Sequence, residues 1–346
     1  MKQGMSIPEL YETVTEQAKE KRDIVTDTTN LNLSLDATEL QISEGRYSLT
    51  PSAHSQIATA LDIPGRFYNR LRNDDADVLS HIVNEMFQRH SKKRMVRLLR
   101  NTARAFLSDR YRRIDNIDIL SIVVQALPLI GTDAEIVSCN VSDDFFYLKV
   151  LFPKIEAELK VGDVFQAGMS IRNSEIGKAS FSISSYLLRR VCSNGMNVED
   201  VGFSQKHLGR KTEETDGRNI WSDETKKSDD ETLKLMIRDS VKAAADDAVL
   251  KDSILKMGKA EDAKLIRPDK TIKELQQKHQ ITDAEGSLIL DNLMHYASRD
   301  GLSAFGLSNA ITETSKHIEN YDRASEFERI GGKVMTDLDA SWLLKG

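Results

Sequence analysis

The chain has 346 residues and a formal net charge of -6 at pH 7, and 40% of its residues are hydrophobic. This is the composition of a globular protein with two domains or one large one. The acidic total excludes a protein that coats nucleic acid with its whole surface, so a polyanion could bind only at a local basic region. The two cysteines, Cys139 and Cys192, form neither a disulfide framework nor a CxxC pair, which predicts a protein of the reducing cytoplasm.

The sequence also argues against export and against a membrane span. The first residues, MKQGMSIPELYETV, lack the apolar core of a secretion signal. The longest apolar stretch, near Ile119 to Ile130, is interrupted by Ser121, Gln125 and Pro128. We therefore expect a cytoplasmic protein without a transmembrane segment.

The first 90 residues alternate between helical and strand patterns. Residues from Ile7 to about Arg22 suit an amphipathic helix, and the segment that follows, up to residue 50, is β-rich. Thr50 followed by Pro51 predicts a helix start, because a capping side chain precedes proline at the first helical position. A further pair of helices is predicted to reach about His90.

The middle of the chain predicts a bent sheet, and the last third predicts helices. A helix at Asn116–Leu129 precedes two strands that turn at Ser142–Asp144. Glycines within the next strands are typical of bulged antiparallel strands; they are Gly162, Gly168 and Gly177. Capping-box pairs mark predicted helix starts at Ser228 with Glu231, Thr271 with Glu274, and Thr282 with Glu285.

These patterns together predict an α+β fold. We expect a bent antiparallel sheet flanked by helices, followed by a mainly helical C-terminal region. The expected divisions are an N-terminal helix and β-rich arm (1–50), an α+β core domain (51–200), a polar loop or linker (201–230) and a helical C-terminal region (231–346).

The segment from Arg89 to Arg113 is strongly basic although the chain is acidic. It contains a single acid, Asp109, and ten basic residues: Arg89, Lys92, Lys93, Arg94, Arg97, Arg100, Arg104, Arg110, Arg112 and Arg113. Cations at this density repel one another unless a partner supplies negative charge, which indicates an anion or nucleic-acid site. The alternative is a solvated basic face that pairs with acids elsewhere in the fold.

Two backbone conformations fit this basic segment. A helical stripe connects Val96, Leu99 and Ala103, whereas RMVRLL and ARAFLS also suit two strands joined at Asn101 and Thr102. The hairpin is slightly favoured. Both conformations would concentrate the arginines on one surface.

Two further polar segments have a functional and a structural interpretation. Cys192 lies beside arginines in RRVCSNGM and could be a nucleophile, or it could be a buried thiol before a tight turn at Asn194 and Gly195. In IRNSEI, Arg172 and Glu175 could pair at the surface, or Arg172 and its neighbours could bond phosphates and base edges.

The motifs of the common enzyme classes are absent from the sequence. There is no Walker A loop, dinucleotide-binding glycine pattern, GxSxG or HExxH. Aspartates that could hold a nuclease metal have no favourable spacing; they are Asp115, Asp118, Asp143 and Asp144. We predict no catalytic residue, no metal site and no cofactor.

Four segments of the chain form a distinctive combination. They are FLSDRYRRIDN (Phe106–Asn116), IRNSEIGKASFSISSYLLRRVCSNGM (Ile171–Met196), LSNAITETSKH (Leu307–His317) and RASEFERIGGKVM (Arg323–Met335). Together they resemble the phage and plasmid protein family known as domain of unknown function 932, over residues 60–345. The resemblance implies a protein of phages, prophages or conjugative plasmids, and by analogy with ring-forming single-strand annealing proteins it implies DNA binding without catalysis.

The expected function is single-stranded DNA binding in recombination or replication, by strand annealing without nucleotide hydrolysis, in a homo-oligomer. Arginines would neutralise phosphates, Tyr111 would stack on bases, and residues of the predicted sheet would line the groove. The expected DNA-binding residues are Arg94, Arg97, Arg100, Arg104, Arg110, Tyr111, Arg112, Arg113, Arg172, Asn173 and Arg190, with Phe106 as a second stacking side chain.

Two other functions fit the same sequence. The basic segment could receive an acidic protein partner, as in a mobile-element protein that blocks a host-defence component. An enzyme that uses Cys192 or the aspartates is the third alternative.

Overall fold

The computed structural model describes residues 1–43, 45–205 and 223–337 of the chain. The fold is α+β as predicted, with two sheets, flanking helices and a mainly helical C-terminal region. The strands are β1 (Lys21–Asp27), β2 (Leu31–Leu33), β3 (Glu39–Ile42), β4 (Gly45–Leu49), β5 (Lys93–Leu99), β6 (Thr102–Ser108), β7 (Glu135–Val141), β8 (Phe146–Glu158), β9 (Val164–Asn173), β10 (Phe181–Arg189) and β11 (Asn194–Gln205).

Helices precede, connect and follow these strands. They are α1 (Ile7–Glu20), α2 (Pro51–Ala60), α3 (Gly65–Asp74), α4 (Ala76–Arg89), α5 (Asn116–Ala126), α6 (Asp223–Ala243), α7 (Asp247–Asp262), α8 (Pro268–His279), α9 (Asp283–His295), α10 (Ala297–Asp300), α11 (Ala304–Thr314) and α12 (Tyr321–Thr336). Within the described ranges, no helix combines the length and the apolar composition that crossing a membrane requires.

The first sheet contains the basic segment as a hairpin. Its strand order is β1-β5-β6-β4-β3-β2, and β5 pairs with β6 in antiparallel register, which confirms the hairpin and excludes the helix. Arg100 turns the chain with a φ of +54°. β4 joins β6 in parallel at Ser48 and Leu49 only. Beyond that point, the described chain places no strand along this side of β6.

Both faces of the hairpin are covered, since successive side chains of a strand point to opposite sides. Val96 and Leu98 pack in one buried cluster with Phe87 of α4. Met95 belongs to a separate cluster on the other side, with Ile176 from the segment that follows β9. The hairpin therefore lies between its own helices and the second half of the protein.

The second sheet is the predicted bent antiparallel sheet, with the order β11-β10-β9-β8-β7. Its register shifts between Leu151 and Glu156 and between Ser184 and Ser185, as expected of bulged strands. Leu148 and the apolar residues of the neighbouring strands form the largest core cluster with the helices.

A buried ion pair joins this sheet to α12. Lys149 and Glu328 are both 0% exposed and lie 2.6 Å apart. Burial disfavours the Lys149 charge, but the Glu328 carboxylate outweighs it and raises the pKa of Lys149. The Lys149 ammonium also lies over the Tyr186 and Tyr321 rings, at 5.7 and 5.0 Å from their centroids.

The capping signals of the C-terminal region have mixed outcomes. Thr282 and Glu285 form the predicted capping box. The other two predicted starts are wrong, since Thr271 lies inside α8, which begins at Pro268, and Ser228 lies inside α6. Proline at the first position of α8 places the start four residues earlier than the Thr271 capping pattern suggests.

The polar loop predicted at 201–230 is too long at both ends. Strand β11 continues to Gln205, and α6 already begins at Asp223. The remainder of the predicted loop, residues 206–222, lies outside the described residues.

Helix α2 begins where the sequence predicts and contains a buried histidine. The Thr50 hydroxyl accepts a hydrogen bond from the Ala53 amide at 3.1 Å. His54 Nδ1 lies 2.9 Å from the Tyr68 hydroxyl of α3. Burial, with a smaller contribution from Arg72, lowers the pKa of His54 from 6.5 to about 4.

We predict that His54 makes the fold acid-sensitive between pH 6.5 and 4. In this range the unfolded chain binds a proton at His54 that the folded chain does not, so the free energy of unfolding falls as the pH falls. The loss at the acid end is about 3 kcal/mol, since one pKa unit corresponds to about 1.4 kcal/mol. Urea unfolding at several pH values should show this loss in the wild type and a smaller one in His54→Gln. An equal pH dependence of both proteins would contradict it.

Candidate nucleic-acid interface

The structure divides the predicted DNA-binding residues into a buried group and an exposed group. Arg97 is 0% exposed. Its guanidinium donates two hydrogen bonds of 2.8 Å to Asp23 and one of 3.0 Å to Asp115. Burial opposes its charge, but these carboxylates outweigh that effect and raise the pKa of Arg97. Its charge is therefore neutralised inside the protein.

Arg97 belongs to an ionic network that connects distant parts of the chain. Lys21 of β1 lies 2.9 Å from both Asp115 and Glu175. Glu175 also accepts a 2.8 Å hydrogen bond from the Asn116 amide. We call this set, centred on Arg97, the Arg97 network. It joins β1, β5, the start of α5 and the segment after β9.

Other predicted groove residues are also part of the interior. Arg104 is 5% exposed and donates to the Asp143 carbonyl. Asn173 is 0% exposed and donates to the Ile114 carbonyl at 2.9 Å. Neither side chain presents its polar group to a surface groove.

The predicted pairing of Arg172 with Glu175 at the surface is wrong. Glu175 is 4% exposed and pairs with Lys21. The Arg172 guanidinium instead lies 4.3 Å from the centroid of the Phe145 ring. Residue spacing alone suggests the wrong pair, because the chain turns after β9 and sends the two side chains in different directions.

Two exposed arginines, Arg100 at the hairpin tip and Arg113 beyond β6, are already paired. Arg100 forms an ion pair with Glu20, and Arg113 forms one of 2.8 Å with Asp23. Arg112, between Tyr111 and Arg113, is half-buried. The turn after β6 therefore contributes only part of its charge to the surface.

Arg190 lies far from the other predicted groove residues. Arg172 of β9 is paired in register with Ser182 near the start of β10, whereas Arg190 follows the end of that strand. At about 3.3 Å per residue, Arg190 is roughly 26 Å from Ser182 along the strand. It forms a 3.4 Å ion pair with Glu156. Arg190 and Arg172 therefore belong to opposite ends of the second sheet.

Four cations remain at the end of the hairpin opposite the Arg100 turn. We call them the open-end cluster: Lys92, Lys93, Arg94 and Arg110. Lys92, Lys93 and Arg110 are exposed, and Arg94 is half-buried. Asp27 pairs in register with Lys93, and Asp109 precedes Arg110, so the cluster keeps a net positive charge.

Arg94 is half-buried without an ion pair, and unlike Arg172, which shares this property, it lines a cleft. Its guanidinium lies 5.7 Å from the centroid of the Phe106 ring. Burial lowers the pKa of Arg94, and the more distant Asp109 charge opposes that effect. In the described part of the chain, no carboxylate lies within ion-pair distance of Arg94.

Phe106 therefore does not offer the free ring face that base stacking needs. Its side chain is 3% exposed, and its ring also stacks on Phe87 with centroids 5.8 Å apart. Tyr111 is half-buried, and its hydroxyl donates to the Ser174 carbonyl at 3.1 Å. Burial raises the pKa of Tyr111, so this phenol stays neutral.

A cleft of about 380 Å³ lies beside Arg94, and we call it the Arg94 cleft. Helix α2, the end of the hairpin and the segment before β10 each supply one part of its wall. The lining residues are Gln56, Thr59 and Ala60, then Arg94, Phe106, Leu107, Ser108 and Tyr111, and finally Gly177, Ala179 and Ser180.

Two residues hold these walls together. The Gln56 carboxamide accepts from the Phe106 amide at 2.8 Å and donates to the Ile176 carbonyl at 2.6 Å. Gly177 has a φ of +77°, and a Cβ there would lie 3.1 Å from Leu107. Glycine is required because this left-handed turn passes close to the hairpin.

The part of the cleft that comes from α2 is not predictable from the sequence. Thr50 and Pro51 locate this helix, but Gln56 and Thr59 carry no motif that indicates a site. Gly177 and Ser180 differ from these two residues, since both belong to one of the four segments of the family resemblance.

Cys192 does not have the environment of an activated nucleophile. Burial raises the pKa of its thiol, and a hydrogen bond with the Asn194 backbone and nearby cations only partly offset this effect. The predicted turn at Asn194 and Gly195 is wrong, since both residues begin β11 and Ser193 takes the positive φ of +53°. A Cβ at Gly195 would collide with the Tyr186 hydroxyl, which explains the glycine.

The aspartates do not form a metal site. Asp115 belongs to the Arg97 network, and Asp144 pairs with Lys178. Among the residues that the structure describes, no group of three or more His, Cys, Asp or Glu side chains could hold a metal ion.

Comparison of the chain with protein-family models, curated proteins and solved structures gives no match. The family resemblance stays a prediction. Two of its segments meet at the Arg94 cleft through Tyr111 and Gly177. The Ile171–Met196 segment also contacts Leu307–His317, where buried Asn194 donates to the Asn309 carbonyl at 3.2 Å.

We predict that Arg97→Ala lowers the free energy of unfolding by about 3–5 kcal/mol, because it removes the fully buried cation at the centre of the ionic network and breaks its pairs with Asp23 and Asp115. The matched control is Arg100→Ala, whose side chain is 66% exposed in an ion pair with Glu20. Arg100→Ala should lower the free energy of unfolding by less than about 0.5 kcal/mol. Urea unfolding measures both, and equal losses would contradict a structural role of Arg97.

Proposed function

We propose that this chain binds single-stranded DNA through the open-end cluster. The observation that carries the proposal is Arg94, a half-buried guanidinium that faces a cleft without an ion pair. A guanidinium that has lost part of its hydration favours an anionic partner, and a phosphate can accept two of its hydrogen bonds. Stacking on Phe106 fixes the position of this charge.

The exposed cations around Arg94 extend the binding surface. Lys92 precedes β5, Lys93 is its first residue, and Arg110 follows β6, so all three lie at the same end of the hairpin as Arg94. Successive phosphates of one DNA strand would contact these cations one after another. Contacts of this kind recognise the backbone of a strand and not its sequence.

Strand annealing in recombination or replication is the role that we propose for this binding. Annealing requires phosphate neutralisation and accessible bases, and it requires no catalytic residue or nucleotide hydrolysis. Assembly into a homo-oligomer would place several open-end clusters along one strand and would raise the affinity without new contacts. An acidic protein partner is the alternative ligand for the same cations.

We predict that Arg94→Ala weakens binding of an oligodeoxythymidylate by about 10-fold or more, because one charge-assisted hydrogen-bonding group contributes about 1.5–3 kcal/mol. The slope of log affinity against log salt should also become shallower by about 0.7, the value for one phosphate contact. Fluorescence anisotropy at several KCl concentrations measures both quantities.

Arg100→Ala is the control for this measurement, because Arg100 lies at the other end of the hairpin and is paired with Glu20. Its affinity and salt slope should match those of the wild type. Unchanged binding by Arg94→Ala would exclude the open-end cluster as the DNA site. Tighter binding of a polyglutamate peptide than of the oligonucleotide would favour the acidic protein partner.

A further inference from the structure

We infer that the Arg94 cleft holds one unpaired nucleobase of the bound strand. This inference rests on the proposed function, in which Arg94 contacts a phosphate. It adds that the base next to this phosphate leaves the strand and enters the cleft. The site would therefore distinguish a strand with bases from a bare phosphate backbone.

The dimensions of the cleft suit a single base. Its volume of about 380 Å³ is near the lower end of the range of about 300–1,000 Å³ for small-molecule sites. A base pair within a duplex could not enter it, because both bases stay inside the stack. Apolar groups of Leu107, Ala60 and Ala179 line the wall, as the flat faces of a base require.

The cleft also offers backbone hydrogen bonds. Every second residue of an antiparallel strand turns its N–H and C=O away from the partner strand. Phe106 is such a residue of β6, since its N–H donates to Gln56 and not to β5. Ser108, two residues further on, has the same orientation.

This side of β6 is open because β4 leaves it after the pair of Leu49 with Ala103. Within the described residues, no hydrogen bond satisfies the Phe106 carbonyl or the Ser108 amide on this side. These groups supply an acceptor and a donor at the cleft. Base edges carry complementary donors and acceptors, which an abasic strand lacks.

A bulky side chain at Thr59 tests the inference without removing a charge. Thr59 is exposed at the rim of the cleft, and Thr59→Phe would fill the cleft from α2. Ser55→Phe is the matched control, since Ser55 is exposed one turn earlier on the same helix and does not line the cleft. Both variants keep the open-end cluster.

The ligands are an oligodeoxythymidylate and an abasic deoxyribose-phosphate oligomer of the same length and charge. We expect the wild type and Ser55→Phe to prefer the intact strand by about 10-fold, a typical value for one held base. Thr59→Phe should bind both ligands equally, with the affinity that the wild type has for the abasic oligomer.

The outcomes separate this inference from the proposed function. Binding of both ligands without preference by the wild type would overturn the base site and leave DNA binding intact. Binding of neither ligand would overturn both. A preference that survives in Thr59→Phe would place the base elsewhere and overturn the assignment to this cleft. In a competition experiment, thymidine monophosphate could bind as tightly as the oligonucleotide does per binding site. That result would identify a free nucleotide as the ligand of the same cleft.

Discussion

The structure depends on the requirement that a buried guanidinium must be paired. Arg97 meets this requirement with Asp23 and Asp115, and it also donates to the Glu175 carbonyl at 3.0 Å. The next carbonyl, that of Ile176, receives the Gln56 carboxamide. The network therefore fixes the segment after β9 against the hairpin. That segment forms one wall of the Arg94 cleft, so the geometry of the cleft follows from the pairing of Arg97.

One stretch of basic sequence thus serves two physical purposes. Arg97 and Arg104 lie inside the protein, where removal of a partner is costly although the pair itself adds little net stability. The open-end cluster keeps its charge at the surface, where the charge is screened by salt and available to a ligand. Within the open-end cluster, Arg94 combines both properties. It is partly desolvated like Arg97 and Arg104, and it lacks an ion pair.

The sequence predicted the features that depend on local chemistry. Three features could be predicted because each depends on a few neighbouring residues: the helix cap at Thr50, the capping box at Thr282 and the hairpin. The burial of Arg97 could not be predicted from the sequence, because the acids that pair with it come from β1 and from the residue before α5. The wall that α2 supplies to the cleft was not predictable either, because it also depends on contacts between distant parts of the chain. A count of charges cannot separate an arginine paired in the interior from one at the surface.

We propose that Arg94 and Arg110 contact DNA, whereas Arg97 and Arg104 stabilise the fold. The most direct measurement is the nitrogen–proton NMR spectrum of the arginine side chains during titration with a single-stranded oligonucleotide, with signals assigned by single substitutions. We expect the Arg94 and Arg110 signals to move and those of Arg97 and Arg104 to keep their positions. Movement of the Arg97 and Arg104 signals with an unchanged Arg94 signal would contradict this division of the basic segment.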